Sequence, residues 1–361
     1  MISLSLCMIV KNEEETLGRC LECVKDIADE IIIVDTGSTD KTKEIASAYT
    51  EKVYDFKWCD DFAKARNYSF SKATKEYIMW LDADDIILEK DRIKLKELKQ
   101  NLEKSIDIVM LKYDLNLDEN GVPALSYYRE RILRREKNYV WKSPIHEVIE
   151  LVGNIDYIDI AITHKKEKVH DPKRNLRIFN SMLEKGIKLD QRQTFYYARE
   201  LYYNEEYEKA EKYFKEFLNK EKGFVENKIS ACLDLFYLYT AINQQEKAIE
   251  SLFNSFKYDE PRAEVCCNIA NYFFNKGKYN IAIYWYKEAT TKQLNISNGG
   301  FYIKDCYDFI PYLGMCVCYF KIGNVMKARE YNELAGKIKP NDKSYLNNLK
   351  YFNNIENLNE N

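Results

Sequence analysis

Along residues 2–82, short apolar runs alternate with amphipathic stretches. Ile2–Val10, Glu30–Asp35, Lys52–Phe56 and Glu76–Leu81 read as strands, because they are short, apolar or β-branched, and bounded by polar residues. Glu13–Val24, Asp40–Tyr49 and Asp60–Ala73 carry apolar residues at helical spacing. Strands separated by helices imply βαβ units and a mainly parallel sheet. Beyond Asp85 a charged helix, Lys90–Leu102, leads to strand-like runs at Ile106–Leu117 and Ala124–Leu133, split by Asp118-Glu119-Asn120-Gly121, a hairpin signal. A further strand is predicted at Ile155–Ile162.

From Gln193 the period changes to that of a helix and stays there, as it does in chains built from internal helical repeats. EEYEKA, NQQEKA, GKYNIA and GNVMKA align on Ala210, Ala248, Ala282 and Ala328, at spacings of 38, 34 and 46. Asn295–Gly300 absorbs most of the longest gap, and a small or apolar residue precedes each alanine by about one helix length: Ala198, Phe236, Ala270 and Cys316. These residues resemble tetratricopeptide repeats, in which paired helices stack into a solenoid. The predicted organisation is a sheet domain over 1–170, a helical linker over 171–192, helical repeats over 193–350 and a frayed polar tail over 351–361.

Composition narrows the function classes. With 46% hydrophobic and 31% charged residues, the 361-residue chain is globular rather than disordered. Its 58 acidic and 55 basic side chains give a net charge of -3, which excludes a nucleic-acid partner held through phosphates. The apolar Met1–Val10 lacks the basic start and small-residue cleavage site of a secretory signal and is too short to span a membrane. Ten cysteines inside apolar patterns, Cys20-x-x-Cys23 included, read as packed thiols and not as disulfides or a metal site. Together these features predict a cytoplasmic protein without a membrane span.

The chemistry concentrates at strand ends. Asp82-Ala83-Asp84-Asp85 follows the fourth strand, and three carboxylates so close repel one another unless a cation stands among them. Val34–Asp40 (VDTGSTD) brings Asp35 to the same rim, where Asp40 or Thr39 is expected to cap the next helix, and Lys11–Glu15 adds Asn12 and more carboxylates. Open α/β sheets place ligands at that edge.

MIVKNEE, VDTGSTD, FAKARN (Phe62–Asn67) and LDADD, in that order, resemble the nucleotide-sugar half of inverting family 2 glycosyltransferases of GT-A fold, over about residues 1–90. The resemblance implies that Asp35 bonds the uracil, Glu13 lies beside the base or ribose, and Arg66 with Lys64 approaches the diphosphate. By the same resemblance Asp82 faces the ribose or sugar, and Asp84 binds Mg²⁺ or Mn²⁺. All three histidines, His146, His164 and His170, cluster at the far end of the sheet domain. In such enzymes a carboxylate beyond the metal motif acts as base and a histidine often completes the metal site. Here Glu147 or His146 is the candidate base and His164 the candidate metal or phosphate ligand, while His170 reads as a loop residue. If 146 and 147 lie on a strand, one of them faces away from the pocket.

The implied activity is metal-dependent transfer of a sugar from a UDP-sugar, a hexosyl- or N-acetylhexosaminyltransferase reaction. Fusion to tetratricopeptide-like repeats resembles enzymes that modify peptides or proteins, including bacteriocin S-glycosyltransferases and flagellin-modifying enzymes. The expected acceptor is accordingly a Ser, Thr or Cys side chain of a peptide or protein held by the repeats, and a homo-oligomer is a further expectation. A cell-envelope saccharide acceptor, or a repeat scaffold with a non-catalytic UDP-binding domain, are the alternatives. The sheet domain is short for this family after Asp85, so the first repeat helices would have to close the site.

Overall fold

Apolar runs in the first third of the chain become strands, and all but the edge strand Val53–Asp55 are buried on both faces, which is why they lack the alternation of a half-exposed sheet. They are β1 (Leu4–Val10), β2 (Glu30–Asp35), β3 (Val53–Asp55) and β4 (Tyr77–Trp80), with α1 (Leu17–Glu22), α2 (Thr42–Ser47) and α3 (Phe62–Ser71) between them. Next come β5 (Asp85–Ile86), α4 (Glu89–Asn101), β6 (Ile108–Leu117), β7 (Pro123–Arg134), β8 (Trp141–Lys142), β9 (Val148–Ile149) and β10 (Ile155–His164). Helices α5 (Arg174–Glu184) and α6 (Gln191–Tyr203) follow. This computed structural model describes residues 1–117, 121–165, 171–294, 299–300 and 302–359. The chain divides into two units, Met1–Glu206 and Tyr207–Asn361. His170, the tip of the 118–121 hairpin and most of the 295–300 loop lie outside the described residues.

In the first unit one sheet has the order β3-β2-β1-β4-β7-β6-β10-β5, and β8 pairs with β9 apart from it. β3, β2, β1 and β4 are parallel, as their βαβ spacing predicts. β7 reverses direction against both β4 and β6, β10 returns parallel to β6, and β5 runs antiparallel to β10 at the edge. Successive side chains point to opposite faces. Leu6 and Met8 accordingly pack in one cluster with Leu17, Leu21 and Leu95. Cys7, Ile32 and Trp80 face Ala63, Phe70 and Trp141 in the other.

The second unit is built from α7 (Tyr207–Leu218), α8 (Val225–Ala241), α9 (Gln245–Asn254), α10 (Ala263–Asn275), α11 (Tyr279–Thr290), α12 (Phe309–Lys321), α13 (Val325–Ile338) and α14 (Lys343–Asn359). The four aligned alanines are all fully buried. Five positions before each stands a residue of positive φ: Glu205, Asn243, Gly277 and Gly323. A left-handed residue ends one helix and redirects the chain into the next, so the repeat is written in turn geometry as well as in packing. The small residues permit close approach: a Cβ on Gly314 of α12 would stand 2.3 Å from the ring of Tyr286 on α11. The frayed tail expected from 351 is instead the end of α14, anchored by buried Phe352, since an aromatic side chain that finds a core carries its helix with it. All ten cysteines are free, and no described helix is long and apolar enough to cross a membrane.

At the start of β2, buried Glu30 accepts hydrogen bonds from Ser5 Oγ (2.5 Å) and from Thr74 N and Oγ1 (2.8 Å each), and pairs with Lys52. Burial raises its pKa, but Lys52, Ser5 and Thr74 outweigh burial and hold it at about 2, below the ordinary 4.5. A depressed carboxylate stabilises the fold above its unfolded pKa, and that contribution is lost as pH falls from about 4.5 towards about 2. Urea titrations across that window should show the wild-type protein losing stability more steeply than Glu30→Gln; parallel curves would count against the assignment.

Candidate functional site

The carboxyl ends of β1, β2 and β4 meet at one rim, because Val10 pairs with Asp35 and β4 runs alongside β1. Asn12, just past β1, takes a left-handed φ of 56° and its Oδ1 accepts from Thr39 N at 2.7 Å, tying the first two rim loops together. It does not cap α1, which starts at Leu17, and α2 has Lys41 rather than Thr39 or Asp40 at its N-cap. Asp40 instead accepts from Thr42 N and Oγ1. Asp35 Oδ1 accepts from Gly37 N and Ser38 N at 2.9 Å each. Its Oδ2 is buried and has no hydrogen-bond partner among the described residues.

The carboxylate row is resolved by arginines. Asp82 pairs with Arg66 Nη2 at 2.8 Å, and fully buried Asp85 pairs with equally buried Arg131 at 3.0 Å and accepts from Tyr113 Oη at 2.8 Å. Arg131 stacks on Trp80 (3.8 Å) and Tyr113 (4.5 Å), and Arg129, two residues earlier on the same face of β7, covers Trp80 at 5.0 Å. Burial pushes the Asp82 carboxyl up, but Arg66, Arg131 and Arg129 prevail and hold it well below the usual range. The repulsion expected within Asp82–Asp85 is thus relieved chiefly by guanidinium groups. Asp84 alone lacks an arginine, and it lies 3.4 Å from His164 Nδ1.

Arg66 and Asn67, adjacent on α3, hold the 141–147 segment in place. Arg66 Nε donates to Glu147 Oε1 at 2.7 Å while its guanidinium lies between the indoles of Trp80 (4.9 Å) and Trp141 (5.1 Å). Asn67 donates to Trp141 O (2.9 Å) and accepts from Trp141 N (2.8 Å). Burial works against the Arg66 charge, yet Asp82 and Glu147 outweigh it and raise its pKa. Residues 143–146 form bends and 147 is irregular, so none of them is in a strand, and Ser143 and His146 have positive φ. Strand alternation therefore does not apply, and both His146 and Glu147 line the cavity.

That cavity has a volume of about 760 Å³. Glu13, Arg66, Asp82, Asp84, His146, Glu147 and His164 all line it. Glu13 Oε2 accepts from Thr16 Oγ1 at 2.7 Å. Asp35 is buried and does not itself line the cavity, although its neighbour Thr36 does. Lys64 does not: its side chain stands 69% exposed beside Asp61, because residues two apart on a helix point to roughly opposite sides and Arg66 takes the inward one. Sequence reasoning missed Arg129, Arg131 and Tyr113, hidden in strands whose charges point inward, and Arg174 and Asn175 of α5, which complete the wall. Arg174 stacks over Phe62 at 4.9 Å.

Ligand atoms of Asp84, Asp85 and His164 lie within 4.8 Å of one another. β5 and β10 create this proximity by pairing Asp85 with His164. Asp85 is already committed to Arg131 and Tyr113, so Asp84 and His164 are the two donors that fit a divalent cation facing the cavity. Hydrogen bonds to Asp84 and Asp85 raise the His164 pKa to about 9 against the effect of burial.

Residues 5–150 match the family model for glycosyl transferase family 2. The chain is 38% identical over 152 residues to a TPR repeat-containing protein of Synechococcus elongatus, covering 42% of this chain and 36% of that protein. It is 29% identical over 230 residues to the SPbeta prophage-derived glycosyltransferase SunS of Bacillus subtilis, covering 60% and 53%. The chain thus spans between about a third and a half of the length of these relatives. Glucosyl-3-phosphoglycerate synthase from Mycobacterium tuberculosis, solved with Mn²⁺ and UDP-glucose, aligns over 52% of this chain and 81% of its own with a TM-score of 0.36 and 14% identity.

Removing one partner of a buried ion pair leaves an uncompensated charge, at a cost of about 3–5 kcal/mol. Arg131→Met should destabilise the first unit by that order in urea unfolding followed by tryptophan fluorescence, and adding Asp85→Asn should recover part of the loss. A change under about 1 kcal/mol would mean that the pair does not organise the rim.

Proposed function

We propose, from a chain with a family 2 glycosyltransferase domain over residues 5–150 and tetratricopeptide-like helices after it, that this protein transfers a sugar from a UDP-sugar to a peptide or protein side chain. The observation that carries the reading is the convergence, on one cavity, of Asp84 with His164 and of the Asp82–Arg66–Glu147 bridge. The partnerless Oδ2 of Asp35 at the back of the same rim supports it.

In this scheme Asp35 Oδ2 accepts the uracil N–H, which supplies the partner the buried oxygen lacks. Glu13 lies beside the base or ribose, and Asp82 faces the ribose or sugar. Arg66 keeps Nη1 for the diphosphate while Nε and Nη2 hold the two carboxylates. Asp84 and His164 would hold Mg²⁺ or Mn²⁺, which when bound offsets charge on the departing diphosphate. Glu147 or His146 removes the proton of the acceptor hydroxyl or thiol, which attacks opposite the leaving group and inverts the anomeric carbon.

A protein acceptor is supported by the helical repeats, since solenoids of this kind present extended binding surfaces.

Titration calorimetry with UDP, with and without Mn²⁺, tests the reading. UDP should bind, Mn²⁺ should tighten it, and Asp84→Ala should remove more than about tenfold of that gain, 1.4 kcal/mol, with unchanged circular dichroism. No UDP binding in either condition would refute the donor assignment.

A further inference from the structure

Glu200 of α6 lies beyond the residues matched to the family and is 6% exposed. Its Oε1 is 3.0 Å from His146 Nε2 and also accepts from Asn175 Nδ2 at 2.9 Å. One turn earlier on the same helix, Tyr196 stacks on the His146 ring, with centroids 4.1 Å apart and planes 14° from parallel. One turn earlier again, the Arg192 guanidinium covers Tyr196 at 4.7 Å and reaches the His146 carbonyl at 3.5 Å. Residues four apart share a helix face, so α6 presents one continuous cradle to one histidine. His146 itself is held at φ 50°, a left-handed conformation that a residue with a side chain keeps only when its surroundings impose it.

We propose that Glu200 is a positioning residue that fixes His146 as the Nε2–H tautomer, so that its Nδ1 is the base which removes the acceptor proton. This rests on the transferase reading and decides the choice that reading leaves between His146 and Glu147. Glu147 is already engaged: its Oε1 is bound to the Arg66 guanidinium, and giving up that contact would cost the buried arginine one of its two carboxylates. Nδ1 of His146, by contrast, makes no hydrogen bond among the described residues, and the ring lines the cavity. A neutral imidazole that donates from one nitrogen has its lone pair on the other, so the carboxylate at Nε2 determines which nitrogen is the base.

The step balances within the known reactants. Nδ1 takes the proton from the acceptor O–H or S–H, and the freed oxygen or sulfur forms a bond to the anomeric carbon. The bond from that carbon to the diphosphate oxygen breaks, and UDP leaves with the electron pair. Glu200 stabilises the imidazolium until it returns its proton to water.

The test uses the full chain labelled with ¹⁵N-histidine, with His146 assigned from His146→Gln. The neutral ring should be protonated at Nε2, and Glu200→Gln should abolish that preference. In the release of UDP from a hydrolysed UDP-sugar, Glu200→Gln should lower kcat about 10- to 100-fold with UDP affinity within about twofold, and the double variant should be no slower than His146→Gln alone, as expected of groups acting as a unit. Protonation at Nδ1 in the wild-type ring, or losses that multiply in the double variant, would overturn the proposal. The wild-type tautomer decides the matter even where Glu200→Gln fails to fold. Absence of UDP binding would instead overturn the transferase reading and leave the tautomer measurement to judge Glu200.

Discussion

One guanidinium group holds the site together. Arg66 is buried, and a buried charge is tolerable only when it is paired and hydrogen-bonded. Its two partners come from different parts of the chain: Asp82 from the end of β4 and Glu147 from the segment just before β9. Satisfying both forces the 141–147 segment against α3, and Asn67 locks that segment through the backbone of Trp141. Breaking the bridge would leave a cation between two indoles with nothing to balance it.

The same logic explains how so acidic a rim is stable without an overall charge imbalance. Asp82 and Asp85 each have an arginine, whereas Asp84 and one oxygen of Asp35 do not. Charges that are paired build the wall, and those left over are the ones available to a ligand. The helices after the sheet take part in this division: α5 brings Arg174 and Asn175 to the cavity, and α6 brings Glu200 to His146. Of the two, α5 falls in the segment read from the sequence as a linker and α6 at the start of the repeats.

What was legible in the sequence was local or periodic. The strands and α3 follow from apolar runs and helical spacing, and the buried repeat alanines stand where a fixed turn-to-alanine distance puts them. The rim residues were legible because short motifs place them at strand ends. Pairing across long separations was not: nothing near position 200 announces a partner at 146, and nothing in β7 announces that Arg131 reaches Asp85. Where Lys64 points, and that both members of the 146–147 pair reach the cavity, was not legible for a related reason, since which way a side chain points depends on the helix face or backbone bend, and a motif specifies neither.

On the proposed reading, the role of the Arg66 bridge is to make this cavity a sugar-transferring site. It is tested most directly by UDP release from a panel of UDP-sugars in the presence of Mn²⁺, comparing the wild-type chain with Arg66→Lys. Lysine keeps the charge but has no planar fork to hold two carboxylates and a phosphate. The wild-type chain should cleave at least one of the sugars and Arg66→Lys should do so about 100-fold more slowly; equal rates in the two proteins would contradict that role.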